Sequence, residues 1–422
     1  MTFALHTDRY ELTMVQAALK SGKASRPCVF EVFTRSLPAG RRYGVLSGVG
    51  RVLEAIRDFR FDSEQLDFLS NHNIVDQPTL DWLSNYRFQG TISGYNEGEI
   101  FFASSPVLTI EGSFAEAVVL ETLILSILNY DSAVASAAAR MRSAAGDRFL
   151  AEMGSRRAHE SAAVSAARAS YLVGFDATSN LEAGMRYGIP TMGTSAHSFT
   201  LLHDSEDQAF KAQLEALGTN TTLLVDTYDI DRAVRKAVEL SAGKLGAVRL
   251  DSGDLVESAI HVRALLDSLG AKGTKITVTS DLDEYTIAAL AQAPVNSYGV
   301  GTSLVTGSGH PTAGFVYKLV SHFDGTDWVS VAKTSKNKTS LGGKKIARRA
   351  LENLIAQAEL IGSPTAGRVL QRNYIVEGQA EKFGPKQFLA ESREHHKKAI
   401  AELGPGALRL SKGEPAIPTE FV

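Results

Sequence analysis

The stretch PTMGTSAHSFTLLH, residues 190 to 203, sets one histidine among small residues that carry hydroxyl groups. Ser195 and Ser198 lie close to His197 in the chain, and they offer hydrogen bonds while adding little bulk. An imidazole changes its charge near neutral pH, and it can act as a base or nucleophile when another group orients its second nitrogen. A lone histidine is more often a hydrogen-bonded packing residue, so its neighbours in the fold decide between the two interpretations.

Four more clusters along the chain combine acidic, basic and small residues. In order they are LVDTYD with Asp226 and Asp229, RLDSGD with Arg249, Asp251, Gly253 and Asp254, TSDLDE with Ser280 and Asp281, and GVGTS with Gly299, Gly301 and Thr302. A single Asp or Ser after a strand is ordinarily a helix N-cap. Two carboxylates on either side of a flexible Ser-Gly are harder to explain by capping, and they favour a functional role.

Each cluster follows an apolar run rich in β-branched residues and precedes a segment with helical spacing. The runs are TTLLV, GAVRL, KITVT and NSYGV, and IPTMGTSAHSF is interpreted as the first of the series. Strand ends near 193, 225, 250, 279 and 300 predict repeated βα units and therefore a parallel sheet or barrel. Ligands of parallel α/β proteins bind beyond the carboxyl ends of the strands, so we expect all the clusters on one rim.

The flanking segments have a different pattern. Residues 1 to about 115 include PCVFEVFTRSLP and other alternating runs, which are typical of an α+β layer. The C-terminal third returns to strand-like TAGFVYKLVSHF before the helical ESREHHKKAIAEL. Residues 333 to 349 carry five Lys and two Arg, for which a solvated loop is the simpler interpretation and a phosphate-facing surface the functional one.

Composition excludes several classes of function. The chain has 422 residues, 44% hydrophobic and 22% charged, so it can bury a large core and is expected to form two domains. Its 44 Lys and Arg nearly balance 47 Asp and Glu, so no overall field favours nucleic acid or a membrane as a partner. The single cysteine, Cys28, excludes an internal disulfide and a thiolate metal cluster. The N-terminus has no signal-like pattern and Glu121 interrupts the longest apolar run, so we expect a soluble cytoplasmic protein.

Eight motifs, in their order along the chain, resemble the motif series of the nicotinate phosphoribosyltransferases. They are TDRYELTM, GSRRAHE, TSNLEAG, GTSAHSF, LVDTYD, RLDSGDL, TSDLDE and GVGTSLVTG, and they span about residues 7 to 320. The resemblance implies an α/β fold: an irregular, incomplete α/β barrel and an α+β domain formed by the N- and C-terminal segments. The expected boundaries are residues 1–115 and 321–422 for the α+β domain and 116–320 for the barrel. The resemblance also implies a homodimer with sites at the subunit boundary.

The implied reaction converts nicotinate and 5-phosphoribosyl 1-pyrophosphate to nicotinate mononucleotide and pyrophosphate, with coupled ATP hydrolysis, in NAD salvage. Breaking the bond between ribose C1 and pyrophosphate places positive charge on the sugar, which carboxylates stabilise. Asp251 and Asp254 are the expected carboxylates, with Arg249 two residues before the first. Mg²⁺ keeps several waters and bridges phosphates, so we expect it to bind substrate oxygens and one carboxylate, that of Asp251.

The substrate contacts are assigned by motif position. Arg156 resembles the arginine that pairs with the nicotinate carboxylate, and Arg157 is the neighbouring alternative. Tyr10 resembles the aromatic residue that stacks on the pyridine ring and, in relatives, comes from the other subunit. Met153 departs from relatives that have an aromatic residue at this position. The glycine-rich GVGTS turn suits the 5′-phosphate, because its backbone N–H groups can bind an anion. The expected substrate-binding set is Tyr10, Arg156, Ser179, Arg249, Gly253, Ser280, Asp281, Gly299, Gly301 and Thr302.

In the family, the histidine of AHSF is phosphorylated by ATP, and His197 is that residue in this chain. Its small neighbours leave space for a phosphoryl group, and Asp226 is expected to orient the ring. The expected catalytic residues are therefore His197, Asp226 and Asp251, with ATP as co-substrate.

Three alternatives remain at this point. A nicotinamide phosphoribosyltransferase of the same fold needs an acceptor for the amide N–H near TSNLEAG, where this chain has Ser179 and Asn180 instead of a carboxylate. A quinolinate phosphoribosyltransferase needs more cations for two carboxylates and no AHSF histidine. A catalytically silent phosphoribosyl-pyrophosphate-binding protein is disfavoured by intact Arg156, His197 and Asp251.

Overall fold

The computed structural model describes residues 3–333, 341–380 and 383–422, and the chain divides into two compact units. One unit joins the N-terminal part up to Ser136 to the C-terminal part from His310, and the other is Ala137–Gly309. The sequence predicts domain boundaries at 115/116 and 320/321, and these boundaries stay a prediction. Residues 334–340 of the basic stretch 333–349 lie outside the described residues, so its phosphate-facing role also stays a prediction.

The described residues contain helices and strands that alternate along most of the chain. The helices are α1 (Arg9–Lys20), α2 (Val49–Arg57), α3 (Ser63–Asn71), α4 (Gln77–Ser84), α5 (Phe114–Val118), α6 (Glu121–Ala145), α7 (Glu160–Leu172), α8 (Leu181–Tyr187), α9 (His197–Leu202), α10 (Glu206–Leu217), α11 (Ile230–Leu240), α12 (Leu255–Ser268), α13 (Glu284–Leu290), α14 (Thr302–Val305) and α15 (Pro385–Ala401). The strands are β1 (Pro27–Thr34), β2 (Gly44–Val45), β3 (Thr91–Tyr95), β4 (Ile100–Phe101), β5 (Leu108–Ser113), β6 (Phe149–Glu152), β7 (Ala177–Thr178), β8 (Thr222–Leu224), β9 (Ala247–Leu250), β10 (Lys275–Val278), β11 (Ser297–Val300), β12 (Phe315–Phe323), β13 (Trp328–Ser330), β14 (Ile346–Glu352), β15 (Ile355–Gly362), β16 (Arg368–Val369), β17 (Gln371–Val376), β18 (Gln379–Ala380) and β19 (Thr419–Phe421).

The unit formed by both chain ends is built on a seven-stranded sheet in the order β13-β12-β1-β5-β3-β17-β18. Its neighbouring strands are antiparallel, and β1 pairs with β12 on one side and β5 on the other. The pairing of β3 with β17 again joins the N-terminal segment to the C-terminal one. Antiparallel pairing of sequence-distant segments confirms the α+β domain formed by both ends of the chain.

A buried histidine in this unit gives a pH-dependent contribution to stability. The ring Nδ1 of His396, on α15, lies 2.9 Å from the carbonyl oxygen of Gly98, to which it can donate. Burial lowers the pKa of His396 from 6.5 to about 4. Between these values the unfolded chain binds a proton that the folded chain excludes, so the free energy of unfolding decreases as the pH falls through this window.

We therefore expect His396→Gln to flatten the pH dependence of stability between pH 7 and pH 4. The wild-type chain should lose about 3 kcal/mol more than the variant across this range, since one pKa unit corresponds to about 1.36 kcal/mol. Urea unfolding at both pH values measures the difference. His72→Gln, at an exposed histidine, is the matched control and should keep the wild-type slope. Equal slopes for His396→Gln and the wild type would contradict the assignment.

The unit Ala137–Gly309 contains a six-stranded sheet in the order β7-β6-β11-β10-β9-β8. Its pairs are parallel, and β11 pairs with β6, which joins the last strand of the unit to the first. This is the cyclic order of a barrel. Within the described residues β8 is an edge strand, so the predicted incomplete α/β barrel is confirmed.

The predicted strand ends near 225, 250, 279 and 300 are confirmed, but the strand near 193 is wrong. There the structure has a single parallel bridge between Thr178 and Thr191. Thr178 donates to the carbonyl of Pro190, and Met192 donates to the carbonyl of Thr178. Pro190 has no N–H to extend the ladder toward the N-terminus, and the Asn180 N–H that could extend it the other way donates to Thr178 Oγ1 instead, so the pairing ends after these two bonds.

The segment Phe114–Ala145, which comprises α5, a two-residue turn and α6, is long and apolar enough to cross a membrane by length and composition. Of its most apolar window, 67% is buried inside the protein. The core helix of a soluble protein has the same properties.

Candidate active site

Four parallel strands bring the clusters identified in the sequence to one edge of the sheet. Asp226 follows β8, Asp251 follows β9, Ser280 follows β10 and Gly301 follows β11. These strands are consecutive neighbours in the sheet, and parallel strands end on the same side. The sheet therefore positions loops that are separated by 20 to 30 residues in sequence.

Arg249 connects two of these loops to the loop before His197. Its Nε donates to Thr279 Oγ1 at 2.9 Å, and its Nη1 donates to Thr194 Oγ1 at 2.8 Å and to the Ser195 carbonyl at 3.1 Å. Its Nη2 lies 3.3 Å from Asp251 Oδ1, which also accepts a hydrogen bond from the Thr279 hydroxyl. The guanidinium thus fixes the loop before His197 against the loops that follow β9 and β10.

The Asp226 side chain holds the DSGD loop in place through hydrogen bonds. It is 2% exposed, and its Oδ2 accepts from the backbone N–H of Asp251 and from the Ser252 hydroxyl, both at 2.8 Å. Its Oδ1 is buried and has no hydrogen-bond partner in the part of the chain that the structure describes. A buried carboxylate oxygen without a partner costs free energy, which indicates that a polar ligand or ring can engage it.

His197 is the first residue of α9 and faces both carboxylates. Its Nδ1 lies 3.1 Å from Thr227 Oγ1, within hydrogen-bond distance. Its Nε2 is 4.0 Å from Asp226 Oδ1 and 3.8 Å from Asp251 Oδ2, which are electrostatic rather than hydrogen-bond distances. The ring partner is thus Thr227, which sequence reasoning missed although it directly follows Asp226. The orienting role of Asp226 stays a prediction.

A cavity of about 200 Å³ lies beside this cluster. It is lined by Met153, Arg156, Arg157, Arg249, Asp251, Thr279, Ser280, Asp281, Gly299, Gly301 and Thr302. Eight of these residues belong to the predicted site, and three arginines outnumber two aspartates. The excess of positive charge suits a substrate that carries several negative groups.

Two backbone features shape the cavity wall. A Cβ on Gly299 would lie 2.6 Å from Met153 Sδ and 2.7 Å from Thr279 Cγ2, so only glycine fits there without displacing them. Ser280 has φ +127°, a backbone conformation that residues other than glycine rarely adopt. Such strain persists where surrounding contacts impose it, and it occurs often in functional loops.

Some of the predicted residues lie apart from this cavity lining. Ser179 uses its backbone N–H to reach the Glu152 carbonyl, and Gly253 occupies a turn with φ +79°. Asp254 caps α12, because its Oδ1 accepts from the N–H groups of Val256 and Glu257. The capping interpretation therefore accounts for this carboxylate, whereas the Asp251 carboxylate lines the cavity.

Glu152 is a further residue that sequence reasoning missed. It is fully buried at the end of β6, and it accepts from the N–H of Gly154 and the hydroxyl of Thr178, both at 2.5 Å. Burial raises its pKa. These bonds hold the turn that presents Arg156, and an acidic residue at the end of an apolar strand was the signal for it.

Tyr10 belongs to the unit formed by the chain ends, at the start of α1. Its side chain is 46% exposed. Burial of the phenol, and then the negative charges of Glu121, Glu11 and Asp8, raise its pKa to about 12. The phenol is neutral at physiological pH, and its stacking role stays a prediction.

Two family models match this chain. Residues 5–129 match the nicotinate phosphoribosyltransferase (NAPRTase) N-terminal domain, and residues 149–374 match the nicotinate phosphoribosyltransferase (NAPRTase) family. The chain belongs to the nicotinate phosphoribosyltransferase family. Nicotinate phosphoribosyltransferase pncB1 of Mycobacterium tuberculosis strain H37Rv is 52% identical, over 99% of this chain and 95% of the relative. The nicotinate phosphoribosyltransferase of Bacillus subtilis strain 168 is 37% identical, over 82% and 73%.

Solved structures agree with this membership. The human nicotinic acid phosphoribosyltransferase superposes with a TM-score of 0.83 at 27% identity, over 98% of this chain and 97% of its own. The nicotinate-nucleotide pyrophosphorylase from Pyrococcus furiosus superposes with a TM-score of 0.76 at 25% identity, over 94% and 96%. The first of these likenesses spans nearly the whole of both chains, so the family fold extends to both compact units.

Proposed function

We propose that the protein is a nicotinate phosphoribosyltransferase of NAD salvage. It converts nicotinate and 5-phosphoribosyl 1-pyrophosphate to nicotinate mononucleotide and pyrophosphate. The observation that carries the proposal is the basic cavity lined by Arg156, Arg249 and Asp251, with His197 beside Asp251. The relatives described above carry the name of this activity, which supports the same reaction here.

In this mechanism, Asp251 stabilises the positive charge that develops on the ribose as the bond from C1 to pyrophosphate breaks. Arg249 and Thr279 hold that carboxylate in place before the reaction, so little reorganisation accompanies it. Arg156 binds the nicotinate carboxylate, since a guanidinium offers two parallel N–H donors. The glycine-rich turn at Gly299 and Gly301 receives the 5′-phosphate.

Mg²⁺ fits this donor set as a cation bound mainly through substrate. The described residues contain no group of three or more His, Cys, Asp or Glu side chains that could hold a metal. Asp251 lies at the cavity, and Mg²⁺ typically uses one or two carboxylates together with phosphate oxygens and water. When bound, the ion neutralises charge on the pyrophosphate leaving group.

ATP acts through His197 in the proposed cycle. The imidazole takes the γ-phosphoryl group: a nitrogen–phosphorus bond forms, the bond to the β-phosphate oxygen breaks, and ADP leaves. Thr227 engages Nδ1, while Nε2 lies 4.0 Å from Asp226 Oδ1 and 3.8 Å from Asp251 Oδ2. Water later hydrolyses the phosphohistidine, which couples ATP hydrolysis to the transfer.

We further propose a cytoplasmic homodimer with shared sites. Beyond the strand ends, short helices and loops expose large apolar side chains, namely Leu181, Met185, Leu201, Leu202 and Tyr228. Exposed apolar groups of this kind are typical of a covered surface. In this dimer Tyr10 comes from one subunit and stacks on nicotinate in the other.

A turnover assay tests the proposed function directly. Nicotinate, nicotinamide and quinolinate are each offered with 5-phosphoribosyl 1-pyrophosphate and Mg²⁺, with and without ATP, and pyrophosphate is measured. We expect turnover with nicotinate and stimulation by ATP. Asn180 already uses its amide in the protein, donating to Ser155 Oγ at 3.0 Å and accepting from the Ala183 N–H, which disfavours recognition of nicotinamide. Absence of turnover with all three bases would favour a silent binding protein.

Arg156→Ala should abolish most of the preference for nicotinate over nicotinamide. The two bases have nearly the same shape, and an arginine left facing a neutral amide costs about 1–3 kcal/mol. We expect the native selectivity to be at least about tenfold, since about 1.4 kcal/mol corresponds to one factor of ten. The KM for nicotinate should rise in the variant while use of nicotinamide changes little. Arg157→Ala is the matched control, and an unchanged ratio in Arg156→Ala would place the carboxylate contact elsewhere.

A further inference from the structure

A second cavity, of about 460 Å³, lies in the unit formed by the chain ends and takes no part in the proposed reaction. It is lined by Met14, Ala17, Ala18, Ser21, Lys23, Arg26, Cys28, Phe114, Leu319 and His322. One wall is the face of α1 that carries Met14, Ala17 and Ala18, continued by Ser21 directly after the helix. Its volume lies within the range of small-molecule pockets, about 300–1,000 Å³.

The lining combines an apolar interior with basic groups. Met14, Phe114 and Leu319 supply apolar surface from α1, α5 and β12, while Lys23 and Arg26 come from the loop between α1 and β1. Such a combination, an apolar body with a few polar groups, is what a pocket for a small organic ligand requires.

The basic groups have no acidic partner in the lining. In the part of the chain that the structure describes, neither Lys23 nor Arg26 forms an ion pair, and Arg26 donates through Nε to the Phe323 carbonyl at 2.6 Å. Arg26 and His322 act electrostatically on the Asp324 carboxylate. The N–H groups of Asp327 and Thr326 chiefly lower its pKa, and Arg26 and His322 lower it further. Asp324 does not line the cavity, so the lining keeps an excess of positive charge.

His322 provides an additional polar group. It lies on β12 opposite Cys28 of β1, and its Nδ1 is buried without a hydrogen-bond partner among the described residues. A buried polar atom left without a partner is destabilising, so an acceptor or donor from a ligand would stabilise the cavity.

We propose that this cavity binds a small carboxylic acid with an aliphatic or aromatic body. The apolar body packs between α1, Phe114 and Leu319, and the carboxylate meets Lys23, Arg26 and His322. Burial of the apolar body supplies most of the affinity, and the cations discriminate the acid from its neutral amide.

Octanoate and octanamide are suitable probes, because they share an apolar chain and differ in charge. Calorimetric titration of the full chain should show saturable binding of octanoate, at least about tenfold tighter than that of octanamide. Lys23→Gln and Arg26→Gln should each reduce this ratio. Lys20→Gln, on the same helix but outside the cavity lining and paired with Asp76, should leave it unchanged.

Filling the cavity provides an independent test. Ala17→Trp should abolish octanoate binding while thermal unfolding shows a folded chain, and Ser21→Trp serves if the first variant unfolds. No saturable binding, equal affinity for acid and amide, or undiminished binding by both tryptophan variants would overturn the proposal. None of these measurements depends on phosphoribosyl transfer.

Discussion

Asp251→Asn should lower turnover by about 10²–10³ while the protein stays folded. A preorganised electrostatic group at a developing charge is typically worth this factor when it is removed. Asparagine has nearly the same shape and can still accept from the Thr279 hydroxyl, but it removes the negative charge beside Arg249 and His197. Steady-state kinetics with nicotinate at saturating 5-phosphoribosyl 1-pyrophosphate measure the loss.

Asp254→Asn is the matched control for this change. Asp254 accepts from the backbone N–H groups of Val256 and Glu257 in the first turn of α12, and asparagine is an equally good helix cap. We expect its turnover to remain close to that of the wild type. A near-normal rate for Asp251→Asn, or an equal loss for both variants, would remove Asp251 from its proposed role at the ribose.

His197→Ala should abolish phosphorylation of the protein by labelled ATP and the stimulation of turnover by ATP. The wild-type phosphoprotein should be labile to acid and stable to base, as phosphohistidine is. Weak transfer without ATP should remain in the variant, because Asp251 and the cavity arginines stay in place. Incorporation of label and pyrophosphate release with and without ATP provide the two readouts.

His203→Ala controls for the loss of a histidine at the opposite end of α9. Its Nδ1 lies 2.8 Å from the carbonyl oxygen of Phe199, four residues earlier in the chain. This contact is local and does not involve Asp226 or Asp251. It should keep both label and stimulation. Undiminished labelling of His197→Ala would place the phosphoryl carrier elsewhere.

Local pattern was enough to predict the strands and the edge that carries the site. The apolar runs before Asp226, Asp251 and Ser280 are short and β-branched, and successive βα units bring consecutive strands side by side. Motif order was enough to predict the family, and with it the joining of both chain ends into one α+β domain. Neither argument detected the interruption at Pro190, because a missing N–H matters only once a neighbouring strand is there to pair with it.

The sequence by itself determined which residue types stand at the strand ends, and so the kind of chemistry they support. Tertiary structure alone decided that the Asp251 carboxylate lines the cavity while that of Asp254 caps a helix. It also supplied Thr227 to His197, and Thr194 and Thr279 to Arg249, across 30 to 55 residues of chain. The physical reason is that such hydrogen bonds depend on which strands are neighbours in the sheet and on the direction of each side chain. The local periodicity of the sequence specifies neither the strand neighbours nor the side-chain directions.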